Sequence, residues 1–155
     1  MDMASNDKYV PYVEPDTGKR VAIVGGGPGG LTAAYFLRRL GHSVNVFDMM
    51  PKMGGMLRYG IPEYRLPKKL LDREISQLEA LGVNLKNNVK LGRDIELEEL
   101  RHDFDAVVVA AGAWKSSSMR IPGEELNGVF GGIDFLREVS LGNAPVIGKA
   151  VAVIG

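Results

Sequence analysis

Val21-Ala22-Ile23-Val24-Gly25-Gly26-Gly27-Pro28-Gly29-Gly30-Leu31 is the stretch whose reading decides the fold. Its four leading residues are continuously apolar, the mark of a short strand covered on both faces. From Leu31 to Leu40 the spacing becomes helical, with Arg38 and Arg39 in the last turn and Gly41 just past the end. Between strand and helix stands G-x-G-x-x-G, at Gly25, Gly27 and Gly30. On its own this motif is weak; directly after a strand and directly before a helix it is a dinucleotide-binding turn. Gly25 permits the tight turn, Gly27 lets backbone approach a pyrophosphate, and Gly30 lets helix pack closely on strand. Pro28 and Gly29 lie in the same turn, and the helix N-terminus that follows offers free N–H groups and a dipole that favour an anion by about 0.3–1 kcal/mol.

Outward from this turn the same alternation continues. Ser43-Val44-Asn45-Val46-Phe47 reads as a second strand, closed by Asp48 about 20 residues beyond the glycines, where an acid accepts hydrogen bonds from adenosine ribose hydroxyls. A free 2′-hydroxyl is favoured there over a 2′-phosphate. Asp48 to Pro67 is rich in Gly, Pro and Met and too long for an ordinary connection, so it reads as a functional loop. Lys68 to Ala80 predicts an amphipathic helix burying Leu70, Leu71, Ile75 and Leu78, and Leu81-Gly82 closes it. Val83 to Leu91 predicts short strands, Glu96 to Leu100 a helical turn, and Asp105 to Ala110 a buried strand. The expected class is α/β, a Rossmann-like fold with a mainly parallel sheet joined by right-handed crossovers.

Composition narrows the function. A chain of 155 residues holds one domain with a real core and hardly two. Lysine and arginine number 19 and acids number 19, so no net field gathers nucleic acid or an anionic membrane surface. Cysteine is absent, which removes disulfides, thiolate nucleophiles and cysteine-held iron–sulfur clusters within these boundaries. Redox chemistry here is therefore borrowed from a cofactor. The start of the chain has no basic region followed by an apolar stretch, and no apolar run approaches a membrane span, so the expected location is cytoplasmic. His42 and His102 have no ligand cluster and read as surface residues; no metal site is expected.

Beyond Asp48, Gly54-Gly55 and then Met56-Leu57-Arg58-Tyr59-Gly60-Ile61-Pro62-Glu63-Tyr64-Arg65-Leu66-Pro67 complete a longer signature. The chain resembles the FAD-binding domain of glutamate synthase small subunits, and the related flavin modules of dihydropyrimidine dehydrogenase and electron-bifurcating ferredoxin:NADP reductases. The resemblance covers most of the chain from Thr17 onward, including Ile121-Pro122-Gly123 and Gly128-Val129. It implies that Asp48, Gly54, Gly55, Met56 and Arg65 contact FAD and that Val89 and Leu91 border the adenine. It further implies that Ala111 and Gly112 belong to a second flavin motif, in which a Thr often stands where this chain has Ala111. The residue chemistry is compatible with this. Gly54 and Gly55 allow close backbone approach, and Arg58 and Arg65 offer planar donors suited to phosphate or flavin oxygens, or sit solvated in the loop. Met49, Met50, Met53 and Met56 fit either a flavin pocket or adaptable loop packing.

Gly18-Lys19-Arg20-Val21-Ala22-Ile23-Val24-Gly25 recurs as Gly148-Lys149-Ala150-Val151-Ala152-Val153-Ile154-Gly155. The expected organisation is an irregular arm over 1–16, a partial FAD-binding domain over 17–147, and over 148–155 the first strand of a truncated second dinucleotide unit. The resemblance implies a parent oxidoreductase passing electrons from NAD(P)H through FAD to iron–sulfur centres, the nicotinamide site and the clusters lying outside this chain. No residue is assigned as a catalytic acid or base. The alternative class is a module that binds an adenine dinucleotide as a sensor or scaffold without turnover.

Overall fold

The computed structural model describes residues 11–154. Four strands form one parallel sheet in the order β3-β2-β1-β4: β1 (Arg20–Val24), β2 (Ser43–Phe47), β3 (Asn84–Lys86) and β4 (Ala106–Val109). Ile23 lies opposite Val46 on one side and Val108 on the other. Although β1 reads as an unbroken apolar run, its side chains alternate between two cores. Val21 and Ile23 join Val44 and Val46 under α1 (Pro28–Arg39) and α3 (Lys68–Ala80), which contribute Leu31, Ala34, Leu71, Ile75 and Leu78. Ala22, Val24 and Phe47 face the other way, against Leu100 of α4 (Leu97–Asp103).

That division of helices sets the location of the mouth. The connections built on α1 and α3 step outward from β1 to β2 and β3 on one face, whereas α4 returns the chain across the other face to β4. The direction of winding therefore reverses between β1 and β4, and the crevice at the carboxyl ends of these strands is where open α/β sheets bind ligands.

Several expectations are corrected. α1 begins at Pro28 rather than Leu31, because proline at the first helical position already has helical φ and Gly27 serves as an extended N-cap. The 48–67 segment contains a single short helix, α2 (Met56–Tyr59). Leu70 is exposed, since the turn of α3 directs only Leu71, Ile75 and Leu78 inward. Only Asn84–Lys86 of the 83–91 segment is strand, with an isolated bridge between Leu91 and Ile95. The helical turn at 96–100 extends to Asp103, opened by a reciprocal capping box between Glu96 and Glu99. β4 is not a buried strand: it is the sheet's edge, flanked by β1 alone, and Val109 is 63% exposed. A fifth helix, α5 (Gly132–Ser140), was not foreseen.

Residues 148–154 form no strand; Val151, Val153 and Ile154 stand exposed and pair with no strand among the described residues, outside which Gly155 lies. Of the expected arm, 1–10 also lie outside them. Its remainder is irregular but fastened to the end of α1 through Glu14 N–H to Arg39 O at 2.8 Å, and Thr17, which follows it, donates its N–H to Gly41 O at 3.1 Å. The Thr17 hydroxyl and His42 Nδ1 lie 2.7 Å apart at the surface, and His42 is half-buried. Among the described residues no helix is long and apolar enough to cross a membrane.

Candidate functional site

The crevice is built from three backbone elements. Gly25, at φ +114, turns the chain off β1, and any side chain on it would overlap Ala110 O at the end of β4. Gly30 is equally constrained, since a methyl group there would overlap Gly25 O and press to 3.2 Å on Ile23. Gly27 differs. A methyl group on it would meet nothing closer than Gly55 Cα at 3.8 Å, and Gly29 has open space around its Cα. Leu31 N–H is bonded to Gly27 O at 2.9 Å, so the amides of Gly29 and Gly30 precede the first helical bond and have no acceptor within α1. No acidic side chain occupies the first turn of α1.

Gly54 and Gly55 close the second side. Gly54 N–H donates to Gly26 O at 2.7 Å, and the approach of Gly55 is such that its Cβ would fall 2.7 Å from Gly27 Cα. Both residues have positive φ, +127 and +52, conformations that L side chains rarely adopt. Two glycine pairs thus touch through backbone alone and leave a side-chain-free cradle.

Asp48 supplies the third side. Its carboxylate is buried, at 7% exposure, and accepts from Gly26 N–H at 2.6 Å through Oδ2 and from Met50 N–H at 2.7 Å through Oδ1. Each oxygen retains a second lone pair for a further donor. Val89 N–H donates to Asp48 O at 2.9 Å, which ties the 87–91 turn to the end of β2. The side chains of Val89 and Leu91 are half-buried against the cluster of Ala22, Val24, Phe47 and Leu100.

The structure therefore brings Gly25, Gly27, Pro28, Gly29, Gly30, Asp48, Gly54, Gly55 and the Ala110–Gly112 strand end to one mouth. Ala111 and Gly112 are exposed there, and Gly112 has φ +72. Met56 opens α2 beside Gly55. Arg65 is exposed and makes no ion pair with a described residue. Arg58 is buried, its Nε donating to Met53 O at 2.6 Å and its Nη2 to Asp72. Of the methionines, Met50 and Met53 are core residues and Met49 is exposed.

One contributor to the mouth escaped the sequence reading. Gly26, an unspecified position of the motif, donates the N–H that holds Asp48, and a methyl group on it would overlap the Met53 sulfur. Tyr59 is buried under Lys52, its hydroxyl accepting from Lys52 N–H and donating to Lys52 O, both at 3.1 Å, and burial holds the phenol above its ordinary pKa. A separate hollow of about 750 Å³, lined by Lys52, Arg58, Tyr59, Lys68, Asp72 and Val139 among others, lies between the 51–72 segment and α5 and includes none of the glycines of the mouth. Burial lowers the Lys68 pKa there, while its ammonium donates to Leu57 O at 2.8 Å and Ile61 O at 2.6 Å. Among the described residues no cluster of three or more His, Asp or Glu side chains is set to hold a metal.

Residues 19–155 match the family model of the pyridine nucleotide-disulphide oxidoreductases. The beta subunit of NADP(+)-dependent formate dehydrogenase from Moorella thermoacetica is 45% identical over 142 residues, 90% of this chain and 20% of that protein. The small chain of NADPH glutamate synthase from Mycobacterium tuberculosis is 49% identical over 138 residues, 88% of this chain and 28% of that protein. The chain thus spans 20% to 28% of the length of these relatives. Among solved structures, Mycobacterium tuberculosis FprA in complex with NADPH superimposes with a TM-score of 0.70 at 29% identity, over 81% of this chain and 29% of FprA.

Proposed function

The chain belongs to the pyridine nucleotide-disulphide oxidoreductase family, and on that premise we propose that its glycine-lined mouth binds FAD within an NAD(P)H-dependent oxidoreductase. The observation that carries this reading is the contact of Gly27 with Gly55 through bare backbone, with the Asp48 carboxylate beside it. The diphosphate lies along Gly27, Pro28, Gly29 and Gly30, where the amides that open α1 donate to it. Asp48 takes the ribose hydroxyls with its remaining lone pairs, and the same carboxylate repels a 2′-phosphate. Gly54, Gly55 and Met56 bound the far side of the diphosphate; Val89 and Leu91 border the adenine. Arg65, exposed and uncommitted, is the cation available to the flavin end, beside Ala111 and Gly112.

Bound FAD supplies the hydride acceptance and single-electron release that no side chain of this chain offers. The chain's own part is orientation and electrostatics. Relatives named for NADP(+) and NADPH support a nicotinamide donor, and their standing as subunits supports a partner carrying iron–sulfur centres as the next electron carrier, with the whole working in the cytoplasm. The second nucleotide unit opened by Gly148–Gly155 belongs to the same proposal.

Titrating FAD into the purified 155-residue chain while following flavin fluorescence, with NAD and NADP in parallel, tests the assignment. Saturable quenching by FAD, with weaker binding of the other two, is the expected result. Preference for NAD would overturn it.

A further inference from the structure

The second glycine pair of the mouth has positive φ at both residues, and something must hold it there. Gly54 rests on Leu71 and Arg58: a Cβ built on it would lie 2.8 Å from Leu71 Cδ2, 3.1 Å from Arg58 Cβ and 3.4 Å from Arg58 Nε. Arg58 is itself almost wholly enclosed, its side chain 9% exposed. A guanidinium is driven into such a position only if its donors are satisfied. Nε donates to Met53 O, the carbonyl immediately before Gly54, and Nη2 to Asp72 on α3. α3 is anchored to the sheet through Leu71, Ile75 and Leu78. Arg58 therefore joins the backbone entering the cradle to a rigid element of the core, and its fork points to those two partners.

We propose that Arg58 is a positioning residue for the cofactor: with Asp72 it fixes Gly54 and Gly55 against Gly26 and Gly27, and it does not itself contact FAD. This rests on the FAD reading above. It departs from the expectation, raised by the loop sequence, that Arg58 donates to phosphate or flavin oxygens. The two roles separate by chemistry. A phosphate contact needs a positive charge, which lysine keeps, and it grows stronger when a competing carboxylate is removed. A positioning fork needs two divergent planar donors, which lysine lacks, and it fails when its carboxylate anchor is neutralised.

The test is FAD affinity by fluorescence titration, with visible circular dichroism of the bound flavin and thermal melting, for the 155-residue chain and its variants Arg58→Lys, Asp72→Asn and the double substitution. The expected result is about tenfold weaker FAD binding in each single variant, the double variant no weaker than the singles because one linkage is broken in all three. The flavin dichroism changes with them, since the dinucleotide is held by a displaced Gly54–Gly55 backbone. Wild-type affinity in Arg58→Lys, or unchanged or tighter binding in Asp72→Asn, would overturn the proposal while leaving the FAD assignment standing. Failure of the unsubstituted chain to prefer FAD would remove both. Should Arg58→Lys not fold, Asp72→Asn carries the test, because its side chain is half exposed.

Discussion

One methyl group separates the work of Gly27 from that of Gly30. At Gly27 a side chain has only Gly55 Cα within 4 Å, at 3.8 Å, so its branches extend into the mouth; at Gly30 it collides with Gly25 O. Gly27→Val is therefore expected to weaken FAD binding by roughly a hundredfold or more with melting close to wild type, within about 0.5 kcal/mol. Gly30→Val should cost about 1–3 kcal/mol in stability through overpacking. Fluorescence titration and thermal melting of the pair check this; equal FAD affinity in wild type and Gly27→Val refutes the cradle. Asp48 is a less clean lever than its position suggests. Because it accepts from Gly26 and Met50 N–H groups in a buried site, Asp48→Ala orphans two backbone donors as well as losing the ribose contact. These positions show what of the site could be read in the sequence. Residues acting by lacking a side chain, or by closing a strand at fixed spacing, are visible in spacing alone. Arg58 is not, because whether an arginine in an irregular loop turns to solvent, ligand or core depends on Asp72, 14 residues away on an element of its own.

Elements with strong periodicity were legible and those set by their neighbours were not. α3 has three inward positions one turn apart, and only its flanking Leu70 misleads, since a run of two leucines does not tell which faces the sheet. Ile75→Ala should destabilise by about 2–5 kcal/mol and Leu70→Ala by less than about 0.5 kcal/mol, a contrast readable from denaturant midpoints. Comparable losses at both sites would contradict the packing of α3. β1 and β4 have similar apolar composition, yet one is central and the other is the edge, a distinction that resides in strand order and not in either strand. The repeat at 148–154 supplies β-branched residues but pairs with none of the described strands, and a ladder needs a partner. α2, at four residues, is shorter than any periodicity can reveal, and it forms because Gly54 O and Gly55 O accept the amides of Leu57, Arg58 and Tyr59.

Across the whole molecule, the Asp105 contact and the ligand mouth stand at opposite ends of β1 and β4. The mouth lies at the carboxyl ends of β1 and β4, while their amino ends are joined by Asp105, which accepts from Arg20 N–H at 2.8 Å and pairs with Lys19 at 2.9 Å. The Arg20 amide first, then Lys19, holds its carboxyl below the ordinary aspartate value. Arg93 does the same for Asp94, and the Ser118 hydroxyl for Glu124. A carboxylate with a depressed folded pKa contributes stability that is complete above its unfolded value and is lost as pH falls through the folded one. Melting temperature should therefore hold roughly level from about pH 7 to 5 and fall below about pH 4, where the unfolded chain begins to bind more protons than the folded one. Asp105→Asn removes one of these groups, so its melting temperature should start lower near neutrality and decline less steeply with acid. Because Asp105 stands at the far end of both strands, the same variant should keep wild-type FAD affinity near neutral pH. An acid profile parallel to wild type would take Asp105 out of the linkage, whereas lost FAD affinity would mean that the two ends of the sheet are coupled.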